Sequence, residues 1–178
     1  MTTGYTRAEL KALKSAMLQH APRLATSADL NRTPRIAAVT MAASEGAMVF
    51  IFKVQKGDLI QVHMNVVVVA ELFIGINAAG ENGGWWTSKL AYQRAPSMRI
   101  PTSEDAETSA DVISLTTSAA GKDMLVNLAG ELSRETFMIK LSREVAGEIF
   151  VGIEMAAEKF GWWDDTMALI PNDGTKLQ

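Results

Sequence analysis

Cysteine is absent from the 178 residues, which excludes disulfides and thiolate chemistry and fits a reducing compartment. Histidine occurs twice, at His20 and His63, and no carboxylate is spaced with either to complete a metal site, so neither metal nor cofactor is expected. No run of 18 apolar residues is present. The most apolar stretch, Val66 to Ile76, is broken by Glu71 and is too short to span a bilayer. The N-terminus, MTTGYTRAEL, has no apolar core followed by a small-residue cleavage site, so no secretory signal is expected and the protein is expected to be cytoplasmic.

Catalytic motifs are missing as well. Gly80-Glu-Asn-Gly83-Gly84 follows a predicted helix instead of opening one and lacks a Lys-Ser/Thr end, so it reads as a helix terminator. Ser88-Lys89 is an adjacency without a third partner. Glu71, Glu81, Glu148 and Glu158 flank an apolar stripe and read as solvated helix carboxylates. The chain is therefore expected to be a binding protein and not an enzyme.

What is present is a repeat. ELFIGINAAGENGGWW, ending at Trp86, lies over EIFVGIEMAAEKFGWW, ending at Trp163, with nine identities in sixteen positions. Upstream, Ile36/Ile113, Thr40/Thr117, Ala42/Ala119, Ala43/Ala120 and Val49/Val126 match at the same spacing of 77. Residues 36–86 and 113–163 thus read as a tandem duplication without gaps.

Each copy has a helical stripe near its end. Val69, Leu72, Phe73, Ile76, Ala79 and Gly83 correspond to Ala146, Ile149, Phe150, Ile153, Ala156 and Phe160, at the three-four spacing of an amphipathic helix. Asn65 and Ser142 precede the stripes as N-caps, while Gly84 and Gly161 suit the left-handed residue that ends a helix. The Trp after each glycine is expected to pack on the helix it follows, for at least one Trp of each pair. Glycine inside a helix costs about 1 kcal/mol relative to alanine, so Gly75 and Gly152 imply close approach of another element, such as the other copy's helix.

Ahead of each helix the apolar period is two, which predicts three strands per copy joined by short polar turns. These are 36–43, 47–54 and 59–64 in the first copy, and 113–120, 124–129 and 136–141 in the second. Val49, Ile51, Ile60, Val62 and Met64 are placed inward, as are Val126, Leu128, Phe137, Ile139 and Leu141. The fold class is α+β: an antiparallel β-meander plus helix, twice. Each unit is βββα, or ββββα if Thr87–Gln93 and Asp164–Ile170 add a strand. Thr6-Arg-Ala-Glu9 is a capping-box match that opens an extra N-terminal helix running to about His20, with Leu10, Leu13 and Met17 on one face. The organisation is then a basic arm with helix (1–35), a first repeat (36–93), a Pro/Ser/Thr-rich linker (94–112), a second repeat (113–170) and a tail (171–178).

In placing Leu141-Ser142 before a helix with Val145 and Glu148, the second copy resembles the PUR-repeat proteins; in ending that helix with Gly161-Trp162, it is similar to the Whirly proteins. That resemblance implies single-stranded nucleic acid lying across the sheets while the helices pack together.

Charge decides where such a strand would run. Residues 1–35 carry six bases and two acids, residues 36–110 five and seven, and residues 111–178 six and eleven, within a net charge of −3. Phosphate contacts are expected from Arg32, Arg35, Lys53 and Lys56 in the first copy and from Lys122, Arg134 and Lys140 in the second. Gln61, His63 and Asn127 are the expected base-edge groups, with Phe50 and Phe52 stacking. The outward face of the first copy then reads Val39, Met41, Met48, Phe50, Phe52, Leu59, Gln61 and His63. An apolar face of that size needs a cover. The expected function is single-stranded DNA or RNA binding, by a homo-oligomer. The alternative is a protein-interaction or assembly subunit, of a phage or multiprotein complex, that docks through the apolar face.

Overall fold

Asn65 and Ser142 each turn a strand into a helix: their side-chain oxygens accept the backbone amides of Val68 at 3.1 Å and Val145 at 3.3 Å, satisfying donors that have no partner within the first turn. A computed structural model describes residues 23–87, 98–130 and 136–162. In chain order these form β1 (Arg23–Leu24), α1 (Ser27–Arg32), β2 (Ile36–Ser44), β3 (Ala47–Val54), β4 (Leu59–Asn65) and α2 (Val66–Gly83). A single 3₁₀ turn, Trp85–Thr87, follows. Then come β5 (Met98–Arg99), α3 (Ser103–Thr108), β6 (Ala110–Ala120), β7 (Asp123–Gly130), β8 (Thr136–Ser142) and α4 (Arg143–Phe160). The class is mixed α+β, as expected. The caps, the C-terminal glycines (Gly84 and Gly161, both at φ 67°) and the buried stripe of both long helices also match the sequence reading.

Seven strands pair in the order β5-β2-β3-β4-β6-β7-β8, and β1 adds to β6 as an eighth. Within each meander the pairing is antiparallel, while the two meanders join through parallel β4–β6 contacts. The chain also returns on itself: Lys140 of β8 bridges Arg35 in parallel, and the Lys140 amide donates to the Pro34 carbonyl at 2.9 Å. Strands β2-β3-β4-β6-β7-β8 therefore form a ring, with β5 and β1 added to it along β2 and β6.

The two halves correspond element by element, but not at one spacing. Strands β2 and β3 map onto β6 and β7 at an offset of 76, their registers breaking at Ile36/Ala38 and Val112/Ser114. Strand β4 and helix α2 map onto β8 and α4 at 77. The connection between the last two strands of the meander is one residue longer in the second half, which corrects the gapless spacing.

That single residue reverses the predicted faces of β2 and β3, because a one-residue slip moves every side chain of a strand to the opposite side. Met41, Phe50 and Val62 stand opposite one another and share the inward face, whereas Val49 and Ile51 lie on the opposite one, where Val49 is nonetheless buried. Met41, Met48, Phe50 and Phe52, expected outward, are at most 1% exposed. Phe50 and Phe52 stack at 5.9 Å inside the core. In the second half Val126, Leu128, Ile139 and Leu141 face inward as predicted. The helix predicted over residues 6–20 lies outside the described residues, as does nearly all of the possible fourth strand of each unit.

Residues 98–110, expected to be part of a linker, instead hold β5 and α3. Arg99, Thr102, Ser103 and Asp105 stand 76 residues after Arg23, Thr26, Ser27 and Asp29, and α3 matches α1 in length. Each half is therefore strand, short helix, three strands, long helix.

Contacts between the halves are reciprocal. Helix α2 lies over β6 and α4 over β2. Phe73 and Phe150 stack at 4.3 Å where the two helices meet. The indole Nε1 of Trp85 donates to the Gly121 carbonyl at 2.6 Å, and that of Trp162 to the Glu45 carbonyl at 2.7 Å, so each helix end is tied to the other half's first hairpin. By length and composition α2 could cross a membrane, with a mean hydropathy of 1.3, but 61% of it is buried inside this fold.

The helical glycines face a strand of the other half and not its helix. A methyl group at Gly75 would strike Thr117, whose branched Cβ sits rigidly on β6, whereas one at Gly152 would strike only the sulfur and methyl of Met41. Gly75→Ala is expected to lower stability by about 1–3 kcal/mol through overpacking. Gly152→Ala should stay within about 1 kcal/mol of wild type, because Met41 can move and helix propensity improves. Parallel urea melts of the two variants check this, and the reverse order would refute it.

Candidate nucleic-acid interface

Two junctions knit the halves together. At the β4–β6 junction, Val62, His63 and Met64 pair with Ala110, Asp111 and Val112. At the β8–β2 junction, Lys140 pairs with Arg35. The short helices pack over these joins: α3 over β4, and α1 against β8.

The β8–β2 junction collects positive charge. Arg35 Nη1 lies 3.3 Å from Asp123 Oδ2, with 41% of its side chain exposed. An ion pair this open is weak and leaves the guanidinium available to other anions. Lys140 Nζ donates to the Leu30 carbonyl of α1 at 3.1 Å, which leaves two further donors on the ammonium. Arg32 is exposed at the end of the same helix. On the far side of Arg35, its carbonyl accepts the Gln55 amide at 2.9 Å, and this brings exposed Lys53 and Lys56 alongside. Exposed Lys122 occupies the β6–β7 turn next to Asp123. Its carbonyl accepts the Arg143 amide at 3.0 Å. Arg143 itself is partly engaged by Glu144, 2.9 Å away, whose carboxyl it holds below the usual carboxylate range through that hydrogen bond.

Of the predicted residues, Arg32, Arg35 and Lys140 thus meet at the β8–β2 junction, Lys53 and Lys56 flank the Gln55 that bonds Arg35, and Lys122 lies in the β6–β7 turn next to the Asp123 that pairs with Arg35. Phe50 and Phe52 are core residues, contrary to expectation, and cannot stack on a base. Arg134 lies outside the described residues.

Gln61 and His63 belong to the other junction, and both are engaged there. Gln61 Nε2 lies within hydrogen-bond distance of four acceptors around α3: the Asp105 carbonyl (3.2 Å), Asp105 Oδ1 (3.4 Å), Thr108 Oγ1 (2.9 Å) and Ser109 Oγ (2.9 Å). This makes it a clamp on α3. His63 Nδ1 sits 3.1 Å from Asp111 Oδ1. Asn127, on the outward face of β7 between Thr116 and Met138, has a buried Oδ1 with no hydrogen-bond partner among the described residues.

One polar cluster was not anticipated from the sequence. Asp105 is 6% exposed and receives both guanidinium nitrogens of Arg99, at 2.5 and 2.7 Å, together with the Thr102 amide at 2.7 Å. The Arg99 hydrogen bonds, aided by the Thr102 amide, hold its carboxyl well below the usual carboxylate range. The group therefore stays ionised and acts as a cap, with Thr102 completing a capping box. The repeated Arg-x-x-Thr-Ser-x-Asp at 23–29 and 99–105 was its sequence signal. Among the described residues no group of His, Asp and Glu is arranged to hold a metal ion.

No protein-family model, curated protein or solved structure matches this chain.

Proposed function

We propose that the protein binds single-stranded nucleic acid, without catalysis, along the cationic path at the β8–β2 junction. The observation that carries this reading is the Arg35–Lys140 bridge. It sets two cations from opposite halves of the chain side by side, with Arg32, Lys53 and Lys56 flanking them. Cations in a row across strands suit a flexible phosphate backbone, whose affinity comes chiefly from phosphate neutralisation. The strand-to-helix resemblance to the PUR and Whirly families points the same way, as does the reading of the halves as two copies of one unit. The assembly alternative required the apolar face of Met41, Met48, Phe50 and Phe52 as a docking surface, and that face is buried.

Charge reversal tests the proposal. Arg35→Glu/Lys140→Glu is expected to weaken binding of any single-stranded sequence by more than tenfold at roughly 50 mM salt. It should also flatten the logarithmic salt dependence by about 1.4, at roughly 0.7 per lost phosphate contact. Fluorescence anisotropy with labelled DNA and RNA oligonucleotides measures both, with Lys140→Gln to separate loss of charge from loss of the Leu30 contact. Absence of wild-type binding at that salt concentration rules out the function.

A further inference from the structure

The geometry points to one strand-binding site per chain, because the β4–β6 junction repeats the backbone of the β8–β2 junction with its charge inverted. This inference rests on the nucleic-acid reading and goes beyond it by fixing the stoichiometry and by assigning the binding to one of two corresponding positions.

The correspondence is positional. Lys140 occupies the place of His63, since β8 follows β4 at 77 residues, and Arg35 occupies the place of Asp111, since β2 and β6 correspond at 76. His63 pairs with Asp111 across one junction as Lys140 pairs with Arg35 across the other. Two cations in one place are thus an imidazole and a carboxylate in the other. The overlying short helices extend the contrast: Arg32 corresponds to Thr108, Asn31 to Glu107 and Ala28 to Glu104. Of the charged groups around the β4–β6 junction, Arg99 is occupied by buried Asp105. Glu104 and Glu107 are exposed, and Asp111 is 62% exposed even while paired with His63.

The cross-strand neighbours Arg35 and Lys140, like His63 and Asp111, stand well within the screening length of about 10 Å at 0.1 M salt and so act together. A phosphate chain approaching the β8–β2 junction meets Arg35, Lys140 and Arg32, with the Asp123 carboxylate paired there, on Arg35. The same chain approaching the β4–β6 junction meets Asp111, Glu104 and Glu107. The backbone places corresponding residues side by side at both junctions, and the side chains admit the polyanion to one.

Titration calorimetry of the full-length protein, with a single strand of about eight nucleotides at roughly 50 mM salt, tests this. Wild type is expected to bind one strand per chain, and Arg35→Glu/Lys140→Glu none. His63→Lys/Asp111→Arg combined with Glu104→Ala/Glu107→Asn gives the acidic junction the residues found at the corresponding positions of the basic one, and it should raise the stoichiometry to two. Two strands per wild-type chain would overturn the inference, as would one strand bound with undiminished affinity by Arg35→Glu/Lys140→Glu. A protein with these four substitutions that melts like wild type yet still binds one strand would also overturn it. Should that variant fail to fold, the wild-type and Arg35→Glu/Lys140→Glu stoichiometries decide the assignment. No binding by any form removes the nucleic-acid reading itself, an outcome distinct from binding with the wrong stoichiometry.

Discussion

Trp162→Ala is expected to lower the stability of the protein by about 3–5 kcal/mol, the range for removing a large aromatic side chain from a core. Its indole is fully buried and its N–H reaches across to the Glu45 carbonyl at 2.7 Å. The residue therefore fills space at the end of α4 and also ties that end to the β2–β3 hairpin of the other half. Trp162→Phe should retain most of the packing and lose the hydrogen bond, costing on the order of 1 kcal/mol for that bond plus a small packing loss. Trp85→Ala should behave like Trp162→Ala, since Trp85 is 1% exposed and bonds the Gly121 carbonyl in the reciprocal arrangement. Against a total stability of about 5–15 kcal/mol, either loss is a large fraction of the whole. Urea unfolding monitored by circular dichroism measures the effect, and a Trp162→Ala midpoint indistinguishable from wild type would show that the helix end is not held this way.

Phe73→Ala and Phe150→Ala are each expected to cost about 3–5 kcal/mol as well. The rings stack at 4.3 Å with an interplanar angle of 9°, at 5% and 6% exposure, where α2 meets α4. Each also has its own helix-to-sheet contacts, so the rings are both packing units and direct partners. The double variant should therefore lose less than the sum of the singles, by about 0.5–1.5 kcal/mol, the worth of an aromatic pair beyond its buried area. Denaturant melts of the two singles and the double close this cycle. Singles within about 1 kcal/mol of wild type would mean that the helices do not depend on this contact.

The long helices were legible because their signals are local. The stripe from Val69 to Ala79 repeats on a helical period, Asn65 and Ser142 cap within three residues, and Gly84 and Gly161 supply the left-handed turn at the end. Strands β2 and β3 were legible as strands but not in their facing. Met48-Val49-Phe50-Ile51-Phe52 is apolar at every position, so alternation has nothing to act on. The one additional residue between β7 and β8 shifts the correspondence of these strands to 76, and with it their parity relative to the helices. Helices α1 and α3 escaped notice because Thr, Ser, Asp and Pro serve loops and short capped helices equally well. What separates the two at α3 is the ion pair of Arg99 with Asp105 and the clamp by Gln61, the latter reaching across more than forty residues of chain.

By itself, the sequence determined that two similar strand-and-helix segments exist, where their long helices begin and end, and which of their residues turn toward a core. Each of these follows from neighbours within one or two turns, where propensity and capping act directly. Tertiary structure alone decided which face of β2 and β3 is buried, that each helix crosses the other half's strand, and that Arg35 and Lys140 become neighbours. These depend on ring closure between β8 and the approach to β2. Positions far apart in the chain meet there because every strand edge seeks backbone hydrogen bonds, a demand that no local pattern encodes.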